Sequence, residues 1–253
     1  MQNVAELTGV ARTHRRRQGE GYVPPSEVTV TTIGELIRGV RVIPEEHQIR
    51  FGITPESGYG EKIWLAGDAS LVKLPSVAIV GSRNVSSDGA ARARRLSKEL
   101  CAAGIVVVSG LARGIDTEAM NSVIESNGKT IGVIGTPIDR AYPAENKRLQ
   151  EKLYQEHLLI SQFEPGTTVY PSNFPERNKL MAAISDATVI VEASDTSGSL
   201  HQAAECTRLG RWLFIAKSLI DNPNLSWPKK FLHYQTTKIL YETRDILSVI
   251  RKN

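Results

Sequence analysis

The sequence predicts an α/β fold with a doubly wound, mostly parallel sheet. From residue 76 onward, short apolar runs rich in β-branched residues alternate with amphipathic segments of helical length. The apolar runs contain no regular alternation with polar residues, which is typical of parallel strands covered on both faces. Turns rich in glycine or serine follow these runs, as expected where strands lead into crossover helices.

The predicted elements follow one another in a regular order. Residues 232–241 form a further strand candidate after the main series, and residues 244–250 form a closing helix. The main strands are predicted at 77–80, 105–109, 130–134, 158–162, 188–191 and 212–216, and the helices at 87–103, 116–126, 146–156, 177–185 and 199–209.

The first 60 residues have a different character and are expected to form a partly flexible N-terminal extension, with the α/β domain at 61–253. A basic run at 12–17 lies among polar residues, and glycines and prolines between 19 and 25 interrupt any regular element. Residues 28–53 are rich in β-branched side chains and include a short helical pattern at 33–38, so a small subdomain is an open alternative.

Composition excludes several classes of protein. The 253 residues carry a net charge of +4, which fits a polyanionic partner but also many enzymes. No apolar run approaches the roughly 20 residues needed to span a bilayer, and no signal peptide is recognisable, so we expect a cytoplasmic protein without membrane contact. Cys101, Cys206 and the scattered histidines lack metal-ligand spacing, and we predict neither metal nor cofactor.

Two strand-to-helix turns are candidates for binding an anion. Gly81-Ser82-Arg83 follows the first strand, and Gly110 and Arg113 belong to the turn after the second. Unpaired N–H groups and the dipole at a helix N-terminus both favour phosphate. A purely structural role is about as plausible for either turn alone, but two such turns at one sheet edge favour phosphate.

A long polar loop is predicted after the fourth strand, from 164 to 179, and it ends with Phe174, Arg177, Asn178 and Lys179. An aromatic ring can stack on an unpaired base while Arg and Lys neutralise the backbone. The structural alternative makes Phe174 a hydrophobic staple and the cations a solvated face. A further hydroxyl-rich turn, which includes Ser197, Gly198 and Ser199, precedes the last main helix.

Six motifs share their order and spacing with one family: VAIVGSR (77–83), SGLARGID (109–116), DRAYPAEN (139–146), EPGT (164–167), NFPERNK (173–179) and SGSL (197–200). On these motifs the chain resembles the DNA-processing protein A (DprA/Smf) family, from about Trp64 to the C-terminal region. The resemblance implies an extended Rossmann-like fold, a homodimer, single-stranded DNA in a basic pocket, and loading of the bacterial recombinase during natural transformation. The resemblance implies that six side chains belong to the DNA pocket: Arg83, Arg113, Phe174, Arg177, Asn178 and Lys179. The turns that would position them contain Gly81, Ser82, Gly110, Ser197, Gly198 and Ser199.

Members of that family typically have an N-terminal helical domain, and many have a C-terminal winged helix. We expect neither here, because the first segment is short and unlike that domain and the predicted elements end with the closing helix. A role in mobile-element or phage defence, with a defence partner in place of the recombinase, therefore stands beside natural transformation.

The main enzymatic alternative is a nucleotide phosphoribohydrolase of the same broad superfamily. Its glycine-rich signature matches the register of SGSLHQAAE (197–205), with Glu205 where that family has its catalytic glutamate. Ser199, His201 and Gln202 replace signature residues, however, and a small-nucleotide sensor is a further alternative. The chain has no P-loop, dinucleotide fingerprint or nucleophile elbow, and we predict no catalysis.

Overall fold

The computed structural model describes residues 21–39 and 62–250. These residues form a nine-stranded sheet in the order β1-β2-β6-β5-β4-β3-β7-β8-β9. Strands β3 to β9 pair in parallel, whereas β1 and β2 form an antiparallel edge against β6. The predicted fold class is confirmed. The strands are β1 Thr29–Thr32, β2 Lys62–Gly67, β3 Ser76–Gly81, β4 Val106–Ser109, β5 Thr130–Ile134, β6 Leu158–Ser161, β7 Ala187–Glu192, β8 Trp212–Ala216 and β9 Thr237–Leu240.

Helices cover both faces of the sheet. Val77 and Ile79 of β3 pack against the helices of one face, and the alternate residues Ala78 and Val80 belong to the core on the opposite face. The helices are α1 Ile33–Gly39, α2 Ser87–Ala102, α3 Ile115–Glu125, α4 Lys147–Glu156, α5 Asn173–Ile184, α6 Ser199–Arg208, α7 Lys217–Ile220, α8 Trp227–Phe231 and α9 Thr243–Ile250. Helices α2, α3, α4 and α9 lie on the first face, and α1, α5, α6, α7 and α8 on the second.

The chain reverses its direction of winding next to β3. It proceeds outward from β3 through β4 and β5 to β6, and then returns to place β7 on the other side of β3. The turn after β3 and the turn after β7 therefore meet at the carboxyl edge of the sheet. Ligands of open α/β sheets bind at such a switch point.

The structure adds one strand to the sequence prediction and corrects two predicted elements. Strand β2 was not predicted, because its short pattern is stabilised by antiparallel pairing with β1 and β6. Helix α5 begins at Asn173, so the polar loop predicted to reach residue 179 ends at Ser172; Pro175 is tolerated in the first turn, where N–H groups have no intrahelical partner. The strand predicted at 232–241 is limited to Thr237–Leu240.

The described part of the N-terminal region is attached to the domain. The hydroxyl of Tyr22 donates to the carbonyl of Ile138 (3.0 Å) and accepts from Gln150 (3.0 Å), while the carbonyl of Val23 accepts from Tyr154 (2.7 Å). Strand β1 then pairs with β2. The basic run at 12–17 lies outside the described residues, and the domain boundary at residue 60 stays a prediction.

Both cysteines are free thiols. Within 21–39 and 62–250, no helix combines the length and the apolar character needed to cross a membrane.

Candidate nucleic-acid interface

A cavity of about 910 Å³ opens at the carboxyl ends of β3 and β7, and we call it the switch-point cavity. It lies where the winding of the sheet reverses, as the topology predicts for a ligand site. Its lining includes three arginines and one carboxylate, so its electrostatic potential favours an anion. The predicted site residues that line it are Gly81, Ser82, Arg83, Phe174, Arg177, Asn178, Ser197, Gly198 and Ser199.

The turn after β3 is closely packed, which explains its glycine. A Cβ atom at Gly81 would lie 2.6 Å from the side chain of Ile115 and 2.7 Å from the carbonyl oxygen of Glu192. The Ser82 N–H donates to that same carbonyl (2.7 Å), which ties the turn to the end of β7. Arg83 follows with an exposed side chain that lines the cavity.

Two aromatic rings form one wall of the cavity. Phe174, in the first turn of α5, is half-buried, and its ring occupies the space that a side chain at Gly135 would take. The ring of Tyr142 lies 5.3 Å from that of Phe174 at 45°, and the Arg83 guanidinium carbon is 5.8 Å from the Phe174 centroid. This wall combines a surface for stacking with a cation for a phosphate.

Arg177 is buried, in contrast to Arg83. Its Nη1 donates to the carbonyls of Gly110 and Val133 (2.7 Å to Val133), and its Nε donates to Asn178 Oδ1 (3.0 Å). Burial lowers the pKa of Arg177, while the neighbouring Asp116 opposes this shift. Burial likewise raises the pKa of Asp116, which accepts from the N–H of Gly110 (3.1 Å). Arg177 therefore joins the ends of β4 and β5 while it contributes charge to the cavity.

The turn after β7 presents hydroxyl groups and a helix N-terminus. Ser197 Oγ accepts from the Ser194 N–H (2.8 Å), which closes the turn. Asp195 anchors it to α8 by accepting from the N–H groups of Ser226 (3.1 Å) and Trp227 (2.9 Å). Within the described residues, the buried Ser199 Oγ has no hydrogen-bond partner. The N–H groups of the first turn of α6 begin at this residue, and a helix N-terminus suits a phosphate oxygen.

Three predicted site residues do not line the cavity. Arg113 forms an exposed ion pair with Glu145, and Lys179 forms one with Glu176 (2.8 Å). Gly110 lies behind the cavity, where its main chain bonds to Asp116 and Arg177. Their roles in binding stay predictions.

Sequence reasoning missed several lining residues: Arg140, Tyr142, Tyr170, His201 and Gln202. Arg140 and Tyr142 lie within the DRAYPAEN motif, but the residue pattern does not indicate that they line the same cavity as Arg83 and Phe174. The alternative catalytic residue, Glu205, is buried in an ion pair with Arg208 (2.9 Å to its Nε) and does not line the cavity. The described residues contain no group of His, Cys, Asp and Glu side chains suited to a metal ion.

Residues 56–251 match the model of a family described as DNA recombination-mediator protein A. The DNA processing protein DprA of Streptococcus pneumoniae is 37% identical over 187 residues, which cover 74% of this chain and 65% of that protein. DprA of Bacillus subtilis is 34% identical over 185 residues, covering 73% and 62%. The chain thus spans less than two thirds of the length of these curated relatives.

Solved structures share the fold. The X-ray structure of DNA processing protein A from Streptococcus pneumoniae superposes with a TM-score of 0.72 at 31% identity, covering 88% of this chain and 75% of that one. The corresponding protein of Helicobacter pylori, described for its mode of binding single-stranded DNA, gives 0.70 at 24% identity, covering 89% and 96%. At that identity the second similarity bears on the fold alone, and both agree with the Rossmann-like architecture.

Proposed function

Because this chain belongs to the DNA recombination-mediator protein A family, we propose that it binds single-stranded DNA in the switch-point cavity. The observation that carries the proposal is the joint placement of Arg83, Phe174 and Tyr142 on one wall of a cavity that the N-terminus of α6 also lines. The helix N-terminus and the arginine suit the backbone of a nucleic acid, and the rings suit its bases.

The aromatic wall favours an unpaired strand over a duplex. Bases within a duplex are already stacked and cannot place their faces on Phe174 or Tyr142, whereas those of a single strand can. The half-burial of Phe174 against Gly135 supports both a stacking role and the structural role that the sequence left open.

We propose that the protein binds without catalysing a reaction. The side chain of Glu205 is paired with Arg208 and is not among the residues that line the cavity, which disfavours a phosphoribohydrolase. A DNA processing role in uptake and recombination, or in defence against mobile elements, fits the family. We further infer a cytoplasmic homodimer that passes its strand to a recombinase or a defence partner.

The proposal predicts that Arg83→Ala weakens binding to single strands of every sequence. The lost phosphate contact should also make the log–log salt slope shallower by about 0.7. Fluorescence titrations over a salt series, with single-stranded DNA, duplex DNA and a nucleotide panel, measure both quantities. Arg148→Ala is the matched control, because this exposed arginine on α4 does not line the cavity.

Equal affinities for Arg83→Ala and Arg148→Ala would move the site elsewhere, and binding of a nucleotide in preference to DNA would favour a nucleotide sensor. Base release from nucleoside monophosphates by the wild type, abolished in Glu205→Gln, would establish the hydrolase instead.

A further inference from the structure

A second cavity, of about 470 Å³, lies at the carboxyl ends of β7, β8 and β9. It shares no lining residue with the switch-point cavity, and its volume lies within the range of small-ligand sites. One wall is helix α2, which contributes Arg92, Arg95 and Glu99. Lys217 and Tyr241 also line it, from the segments after β8 and β9.

Arg92 and Arg95 lie one turn apart on α2 and hold their acidic neighbours only at long distance. Arg92 Nη2 is 4.0 Å from Glu192 Oε2, and Arg95 Nε is 3.9 Å from Glu99 Oε1. The Nε atom of Arg92 is buried and has no hydrogen-bond partner among the described residues. A guanidinium has five N–H donors, and these long contacts do not saturate either one.

The other charged groups of this cavity are engaged locally. Lys217 Nζ donates to Asp221 (2.6 Å to Oδ2), and Arg244 lies 2.6 Å from Glu242. The carboxylate of Glu99 also accepts from the hydroxyl of Thr243. Among the cations that line this cavity, Arg92 and Arg95 therefore keep the most donor capacity for an incoming ligand.

Tyr241 provides an aromatic surface at the same cavity, with 63% of the residue exposed. The N–H groups of Tyr241 and Glu242 both donate to Asp245 Oδ2 (2.9 Å each), which fixes the turn that carries the ring. An exposed ring on a fixed turn is suited to stacking on a base.

We propose that the second cavity binds a nucleotide, with its phosphate at Arg92 and Arg95 and its base on Tyr241. Guanidinium groups match the geometry of phosphate oxygens. The nucleotide can be part of the strand held in the switch-point cavity, a case that rests on the proposed function, or it can be a free mononucleotide. Helix α2 connects the two sites, because it begins after the Arg83 turn and Arg92 lies about 8 Å along its axis from Ser87.

The test uses the full chain with Arg95→Gln and Tyr241→Ala. Lys98→Gln is the control, because it removes one exposed charge from the same helix outside the cavity. Binding is measured by calorimetry with dAMP and with inorganic phosphate, and by fluorescence with deoxythymidine oligonucleotides of increasing length.

If the ligand is a longer strand, both variants should weaken binding about fivefold or more, but only for oligonucleotides long enough to reach beyond the first cavity. The salt slope for Arg95→Gln should also become shallower by about 0.7. If the ligand is a free nucleotide, both variants should weaken dAMP binding while the affinity for long strands stays unchanged. Loss of phosphate binding in Arg95→Gln alone would identify the anion contact.

Affinities equal to those of Lys98→Gln with every probe would overturn the second site. That result differs from failure of the proposed function, which would appear as wild-type protein that binds no single-stranded DNA. In that case dAMP binding that is sensitive to Arg95→Gln would still support the second cavity. Conversely, if only Arg83→Ala weakened the binding of single strands, the switch-point cavity alone would remain as a binding site.

Discussion

Arg177 combines a place in the cavity with a place in the core. Its guanidinium bonds to the carbonyls of Gly110 and Val133 and faces the buried carboxylate of Asp116. A buried charge that loses its partner is strongly destabilising, because the remaining charge stays without solvent. Loss of this residue should therefore affect folding before it affects binding.

We expect Arg177→Ala to lower the free energy of unfolding by about 3–5 kcal/mol. Lys179→Ala, two residues further along α5, removes an exposed cation and should leave stability within about 0.5 kcal/mol of the wild type. Urea denaturation followed by circular dichroism measures both. If Arg177→Ala kept the wild-type stability but lost affinity for DNA, the main role of this arginine would be contact with the ligand and not stabilisation of the fold.

His157 should make the fold sensitive to mild acid. The residue is buried, and neither ring nitrogen has a hydrogen-bond partner in the described part of the chain. Burial, reinforced by Lys129, lowers the pKa of His157 below its ordinary value. The neutral ring therefore favours the folded state, and this stability is present above about pH 6.5 and lost as the pH falls.

Melting temperatures between about pH 5.5 and 7.5 test this expectation. His157→Phe should reduce the decline of stability towards low pH, whereas His201→Gln, at an exposed position, should retain it. An unchanged decline in His157→Phe would place the acid-sensitive group elsewhere.

The segment before β1 depends on a few hydrogen bonds to α4 and its preceding loop. Tyr22→Phe removes the hydroxyl that serves both Ile138 and Gln150, and it should cost about 1–3 kcal/mol of local stability. Hydrogen exchange should become faster in β1 and α4. Tyr170→Phe is the control, because that ring is 60% exposed at the cavity rim. Equal exchange in the two variants would show that other contacts hold the segment.

The sequence was sufficient for the parallel strands but not for the antiparallel edge. Strands β3 to β8 were located within one or two residues, because apolar runs buried on both faces leave a clear pattern. Strand β2 depends on partners more than 90 residues later in β6, which no local pattern reveals. At the site, glycine and hydroxyl turns were recognisable, but the burial of Arg177 depends on Asp116, 61 positions earlier in the chain.

At the scale of the whole molecule, the sheet formed by residues 21–39 and 62–250 has two short outer strands. Within these residues β1 lies at one edge and β9 at the other, each with four residues. The Lys238 ammonium of β9 lies 5.1 Å from the centroid of the Trp212 ring. Short edges that carry charge discourage the addition of strands from other chains. The edge of β3 that pairs with β7 lies in the middle of the sheet and has no such protection until the two strands pair.

That central pairing affects how the chain is made. During synthesis β3 leaves the ribosome before both of its partners, β4 and β7, and β4 covers only one of its two edges. The other edge waits for β7, whose flanking Asp186 bonds to Ser76 across a separation of 110 residues. At a typical 5–20 residues per second, this edge stays open for about 5–20 s. Nascent chains therefore expose the edge of an apolar strand before the binding site has formed. Slower translation between β3 and β7 lengthens the time during which this edge can aggregate.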